Sequence, residues 1–282
     1  MAAIENLVQD IYRVFDAGGV EPTDEQLEIF SKSVTNSIRN SFRYKPNESR
    51  GLRMSALGKP ERQSWYECHR PDLREHLTAE TKIKFLYGHI LEDLLLLFAR
   101  MAGHDVTEEQ KDLELDGVKG HKDATIDGWI CDIKSASSFG FKKFKSNNLT
   151  KENDSFGYLY QIKAYGEAEQ NDKLCFLAID KQFGHIAVCT PDKKELPDIK
   201  EKIAKLKTCL ESDTPPPRCY PDEADGVTGN RKLGVNCSYC SFKNECWSDS
   251  NKGEGLRKFI YSNGPRWMTT VKNEPKVPED IP

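Results

Sequence analysis

Asp123, Asp132 and Lys134 are the residues whose types and spacing best fit catalytic chemistry in this chain. They lie in Gly120-His121-Lys122-Asp123-Ala124-Thr125-Ile126-Asp127-Gly128-Trp129-Ile130-Cys131-Asp132-Ile133-Lys134. Residues two apart on a strand face the same side, so Asp132 and Lys134 project together while Ile133 points into the core. A tight turn at Asp127-Gly128 folds the preceding run back and can bring Asp123 beside Asp132. Paired carboxylates raise each other's pKa, a conflict that a divalent cation removes. Hard oxygen ligands of this kind suit magnesium or manganese. A cation so held can polarise a phosphodiester oxygen and activate water, while an ammonium positions that water and offsets charge on the phosphate. An isolated Asp-x-Lys triplet is common on strand edges, so the surrounding elements decide its weight.

Helical periodicity runs over Asn6–Ala17 and Asp24–Arg43, the second with Thr23 or Asp24 as N-cap. Pro60 suits the first position of a short helix ending near Cys68. The clearest helix runs from Thr78 or Glu80 to Met101 and is closed by Gly103. Three strands follow, Val106–Leu115, Lys122–Ile126 and Trp129–Ser135, with turns at Asp116-Gly117 and Asp127-Gly128. A helix over Ser155–Gln170, strands over Leu174–Asp180 and His185–Thr190, and a charged helix over Pro191–Leu210 complete the pattern. This order predicts an α/β fold, a mixed sheet with helices packed on it and not a regular βαβ series. Glu92 on the long helix offers a third carboxylate, and Gln161 on the later helix can reach the lysine, the water or a phosphate.

The 282 residues suffice for one good core and a small accessory lobe. The net charge of −4 neither favours nor excludes a nucleic-acid partner, since a metal site concentrates carboxylates. No apolar run reaches membrane-spanning length, and the N-terminus lacks a signal-peptide layout, so a cytoplasmic location is expected. No ATP-binding Gly-x-x-x-x-Gly-Lys-Ser/Thr segment is present. Of nine cysteines, Cys131, Cys175 and Cys189 fall in apolar strand-like runs and read as small core residues. Cys237, Cys240 and Cys246 have the spacing C-x2-C-x5-C, and three close thiolates need a fourth, from Cys68 or Cys219. Spacing alone leaves zinc and an iron–sulfur cluster open.

Glu92 following Gly88, Asp123 following Gly120, Asp132-Ile133-Lys134, and Gln161 preceding Tyr165 together resemble the motif series of the PD-(D/E)XK nucleases, in their RecB-like branch. The resemblance covers about residues 85–165. It implies a restriction-endonuclease-like core, a central mixed sheet flanked by helices, and a metal-dependent DNA exonuclease serving DNA processing, recombination or repair. It implies metal ligation by Glu92, Asp123, Asp132 and the carbonyl of Ile133, with Lys134 catalytic and Gln161 its helper. One or two ions of magnesium or manganese are implied. Glu92 stands where many members carry histidine.

The cysteines resemble the iron–sulfur staple of certain RecB-like nucleases, including AddB-type and CRISPR-adaptation nucleases. That resemblance selects Cys68, followed by His69-Arg70, as partner of Cys237, Cys240 and Cys246 for a [4Fe–4S] cluster, with zinc the rival occupant. The implied organisation is an N-terminal helical region at 1–77, a nuclease core at 78–213, a cysteine-rich segment at 214–250 and a C-terminal extension at 251–282 with a loose end. The partner is DNA with a free end, single- or double-stranded, alongside a recombination or replication protein, and no membrane. The connection 138–154 carries Lys142, Lys143 and Lys145 among phenylalanines and suits a DNA strand. Arg53, Arg70, Lys163 and Tyr165 are further DNA-contact candidates. The competing reading is an iron–sulfur DNA-binding scaffold or redox protein without nuclease activity.

Overall fold

The computed structural model describes residues 3–16, 18–43 and 51–280. The chain forms two compact units. The first holds the two N-terminal helices with Leu52–Gly58 and Leu77–Lys205; the second holds Lys59–His76 and the chain from Leu206 onward. These units cut across the divisions expected from the sequence, because the stretch before residue 77 is shared between them.

In the first unit α1 (Leu7–Val14) and α2 (Asp24–Phe42) come first. A reciprocal capping box starts α2: Thr23 Oγ1 accepts from the Gln26 N–H at 3.2 Å, and Gln26 Oε1 accepts from the Thr23 N–H at 3.0 Å. Ala17, the expected end of the first helix, lies outside the described residues. After α3 (Glu61–His69), which belongs to the second unit, α4 (Ala79–Met101) is capped by Thr78 and closed by Gly103 at φ 83°.

Five strands follow: β1 (Val106–Thr107), β2 (Lys111–Leu115), β3 (Val118–Lys122), β4 (Ala124–Ile126) and β5 (Trp129–Ala136). Next come α5 (Ser138–Lys145), α6 (Tyr158–Glu169), β6 (Leu174–Asp180), β7 (Ile186–Cys189) and α7 (Ile199–Leu210). The central sheet has the order β1-β4-β5-β6-β7, with β5 and β6 parallel and the other pairs antiparallel. β2 and β3 form a separate hairpin. On one face Leu7, Ile11, Leu95, Leu96 and Ala99 share a core with Ala124, Ile126, Cys131, Ile133, Cys175 and Leu177. On the other, Phe144 of α5 meets Phe176 at 5.7 Å. Covered on both faces, β6 is buried along its whole length. Cys131 and Cys175 are register partners inside this core.

The expected mixed sheet is present, with several boundaries moved for identifiable reasons. The strand expected over 106–115 breaks where Glu108 and Gln110 take φ of 52° and 51°, so β2 leaves the central sheet. The strand expected over 122–126 breaks at Asp123, between β3 and β4. The turns match expectation: Asp116-Gly117 and Asp127-Gly128 both have positive φ at each residue. The connection after β5 contains α5, which buries Phe141 and Phe144. The charged helix starts at Ile199, since Leu196 before Pro197 is held extended at ψ 132°.

The second unit carries a four-stranded sheet with no counterpart in the sequence reading, ordered β10-β11-β9-β8. Its strands are β8 (Glu223–Ala224), β9 (Arg231–Lys232), β10 (Arg257–Tyr261) and β11 (Gly264–Thr270), with the short helices α8 (Val235–Ser238) and α9 (Lys243–Cys246) before β10. The segment expected to be loose is pinned as far as residue 280. Ile260 N–H donates to the Pro278 carbonyl at 2.9 Å, the Asp280 N–H to the Lys258 carbonyl at 2.8 Å, and Arg257 pairs with Glu274 and Glu279. No helix among the described residues is long and apolar enough to cross a membrane.

Candidate active site

The site grows out of β5 and the break before β4. Asp132 and Lys134 share one face of β5, and Asp132 Oδ2 lies 2.6 Å from Lys134 Nζ. Asp132 is fully buried, Lys134 17% exposed at its side chain. Lys134 is the cation beside Oδ2, and Asp132 Oδ1 has no hydrogen-bond partner among the described residues. An ionised carboxylate so buried is costly unless further positive charge meets it.

Asp123 reaches the same strand because the chain leaves sheet register at its position. Its Oδ2 accepts the Ile133 N–H at 2.6 Å, fixing the carboxylate over β5. The neighbouring Gly120 has a packing role: a Cβ there would lie 2.7 Å from Met54 Sδ. Burial pushes the Asp123 carboxyl well above the usual carboxylate range, and the charges of Glu92 and Asp132 push it further. Burial raises Asp132 as well, against the pull of Lys134. Burial disfavours the Lys134 ammonium, but Asp132 and Asp123 outweigh it and hold Lys134 above the ordinary lysine range.

The Glu92 charge acts on the Asp123 carboxyl. Glu92 Oε1 accepts from Gln110 Nε2 at 2.6 Å, and His89 Nδ1 stands 3.9 Å from Oε2. Next to Glu92, Asp93 is buried and receives the hydroxyls of Ser33 and Ser37 from α2, which anchors this turn of α4. Gln161 lies between Lys134 and Tyr165. Lys134 Nζ donates to Gln161 Oε1 at 3.3 Å, and Gln161 Nε2 donates to the Tyr165 hydroxyl at 2.8 Å.

Helix α6 is set in place by two features. Asp154 accepts the N–H groups of Tyr158 and Leu159 at 2.9 and 2.8 Å. Gly157, at φ 75°, passes so close to Gly58 that a Cβ on Gly58 would sit 2.2 Å from the Gly157 Cα. The helix consequently begins at Tyr158, later than the periodicity suggests.

The expected DNA contacts divide. Arg53 lies by the site, with Nη2 2.9 Å from His121 Nδ1 and its charge acting on Tyr165. Lys142 and Lys145 are exposed on α5, whereas Lys143 is half-buried against aromatic rings. Arg70 belongs to the second unit, where it pairs with Asp72, and Lys163 pairs with Glu167. Tyr165 is 2% exposed. It buttresses Gln161 from inside, which corrects its expected place on the DNA surface.

Three contributors escape the sequence reading. Gln110 steadies Glu92, Asp154 caps α6 and acts on Asp132, and Tyr158 carries Lys134 over its ring at 4.7 Å. Asp154 had a usable signal, an acidic residue just before a helix. The other two depend on tertiary placement alone.

In the second unit Cys237, Cys240 and Cys246 line one small apolar cavity with Tyr66, Phe242 and Trp247. Cys219 lines it too; Cys68 does not, and the thiol that acts on Cys68 is that of Cys209. Arg62 donates to Cys246 Sγ at 3.1 Å. The segment 59–76 is laced to the cysteine segment through Glu75, whose N–H donates to the Ser241 carbonyl at 2.9 Å and whose carboxylate binds Asn244 and Lys243. Among the described residues no three His, Cys, Asp or Glu side chains already stand as a closed metal-ligand set.

No family model and no curated protein matches this chain. Among solved structures it is similar to a phage-related exonuclease from Haemophilus somnus 129PT, at 15% identity over 61% of this chain and 95% of that one, TM-score 0.40. It is also similar to SSO0001, at 16% identity over 78% and 94%, TM-score 0.35. An alkaline exonuclease from Laribacter hongkongensis is similar at 14% identity over 56% and 91%, TM-score 0.33. Scores this low leave the functional reading to the geometry of the site.

Proposed function

We propose that this chain is a divalent-metal-dependent deoxyribonuclease that works from a DNA end, with a restriction-endonuclease-like core of the PD-(D/E)XK, RecB-like kind. The observation that carries the reading is the convergence of Asp123, Asp132 and Lys134 on one face of β5, with Gln161 on the lysine and the Glu92 charge acting on Asp123. The donor set fits a hard cation: an Asp123 carboxyl raised by burial and by the charges of Glu92 and Asp132, an Asp132 carboxyl raised by burial, and a buried Asp132 Oδ1 without a hydrogen-bond partner. Glu92, Asp123, Asp132 and the Ile133 carbonyl would hold it. Magnesium or manganese, as one or two ions, would supply Lewis-acid activation of the phosphodiester and of water.

The protein's own groups do the rest. Lys134, kept protonated by its carboxylates, holds the attacking water and offsets charge on the phosphate in the transition state. Gln161 fixes the Lys134 ammonium, and Tyr165 fixes Gln161. Tyr158 confines the lysine from the remaining side. Lys143 stands over the same Tyr158 ring as Lys134 and adds positive charge for a strand end beside the site.

The cysteines suit a structural group, [4Fe–4S] or zinc, because Cys219, Cys237, Cys240 and Cys246 line a single cavity. Cys237, Cys240 and Cys246 would hold it, with Cys219 or Cys68 as the fourth ligand. Such a group has no part in the hydrolysis and stabilises the second unit.

End-labelled linear DNA, single- and double-stranded, and a covalently closed circle, incubated with magnesium or manganese, test the reading. Wild type is expected to degrade linear DNA and spare the circle, and Asp132→Ala to lose at least about 10²-fold in rate. Equal cutting by wild type and Asp132→Ala would refute the site.

A further inference from the structure

Phe156 projects from the segment joining α5 to α6 with 64% of its surface exposed. The segment is braced on both sides of it. Asn153 accepts the Thr150 N–H at 3.1 Å and donates to the Asn148 carbonyl at 2.7 Å, and Asp154 binds the first N–H groups of α6. The exposed ring is thus displayed on an ordered support.

Its inner face stacks on Tyr158, centroids 5.5 Å apart and planes 26° from parallel. Tyr158 in turn carries Lys134 at 4.7 Å from its ring centre. A second cation, Lys143, stands 5.8 Å from the Phe156 centroid and 5.1 Å from that of Tyr158, its Nζ 3.4 Å from the Asn153 carbonyl. Two ring contacts therefore lead from the catalytic lysine to an open aromatic face edged by positive charge. Of the phenylalanines of α5, Phe141 and Phe144 are buried; Phe139 is exposed, but no ring contact links it to Tyr158 as one links Phe156.

We infer that the outer face of Phe156 is a stacking platform for an unpaired base of the DNA strand being cut, with Lys143 beside it for the phosphate. An aromatic face next to a cation suits single-stranded nucleic acid, since every base offers a π-face and every nucleotide a negative charge. The inference deepens the nuclease reading and rests on it. It adds that the strand is held unpaired close to the scissile bond.

Single-stranded oligonucleotides carrying one abasic site, moved position by position, test it by fluorescence anisotropy with the full chain and calcium in place of magnesium. Wild type is expected to lose about tenfold in affinity when the abasic site falls at the stacked position. Phe156→Ala is expected to bind the intact strand about tenfold more weakly and to be indifferent to the abasic site there. Phe156→Trp restores both, and its fluorescence is quenched on binding. An abasic profile in Phe156→Ala identical to that of wild type, with wild type still cutting DNA, overturns the platform and leaves the nuclease standing. Wild type that neither binds nor cuts DNA removes both.

Discussion

The carboxylate–lysine site and the cysteine cavity are built in opposite ways. The first is held by regular backbone: Asp132 and Lys134 by the pleat of β5, Asp123 by the Ile133 N–H, Gln161 by a capped helix. The second sits on helices of four residues and on loops, with Cys219 exposed. A site whose geometry the sheet dictates needs no ligand to form, and the proposed cation would only relieve its charge. The group proposed for thiolates on such short elements would stabilise them, because binding energy there is folding energy.

The largest effect expected from this contrast is in the cysteines. Cys240→Ala is expected to abolish iron or zinc binding and to lower stability by more than about 3 kcal/mol, seen in metal content and in thermal unfolding. A metal-free Cys240→Ala protein with wild-type melting would break the comparison. Cys219→Ser and Cys68→Ser sharpen it: the cavity lining predicts that Cys219→Ser loses the metal and Cys68→Ser keeps it. The opposite pattern would restore Cys68 as the fourth ligand.

A smaller effect is expected at Gln161, where the site stays folded and only the lysine loses its guide. Gln161→Ala should lower kcat about tenfold with little change in KM or melting temperature. Tyr165→Phe, which removes only the hydroxyl behind Gln161, should lower kcat less. A change confined to KM would move Gln161 from the lysine to substrate binding.

The smallest effect concerns the ion pairs beside Asp123. Lys122, fully buried, binds Glu108 and Glu169, each at 2.5 Å. Lys111 and Lys122 lower the Glu108 carboxyl to about 2. A carboxyl depressed on folding stabilises above its unfolded pKa, near 4.5, and that contribution fades as pH falls towards 2. The melting temperature of wild type should exceed that of Glu108→Gln at neutral pH, and the gap should close over this window. A constant gap would show that Glu108 acts through packing.

Much of the catalytic site was legible because it depends on local rules. The period-two pleat puts Asp132 and Lys134 on one face whatever surrounds them, and Asp127-Gly128 demands a turn that folds β4 onto β5. The four-stranded sheet of the second unit was not legible, since β8 and β9 are two residues long and gain their identity only from pairing, β9 with β11 and β8 with β9. Tyr165 reads as a partner for DNA in the motif and proves to be a buried brace, because burial depends on what covers a helix face.

The sequence by itself determined the candidate residues, their order along the chain and the strand that presents Asp132 and Lys134. Tertiary structure alone decided that Asp123 leaves its strand to meet Ile133, that Tyr158 lies under Lys134, and that Cys219 shares a cavity with Cys237, Cys240 and Cys246. The division has a physical cause: side-chain direction along a strand follows from backbone geometry, whereas contacts between distant segments depend on packing and on the burial of charge.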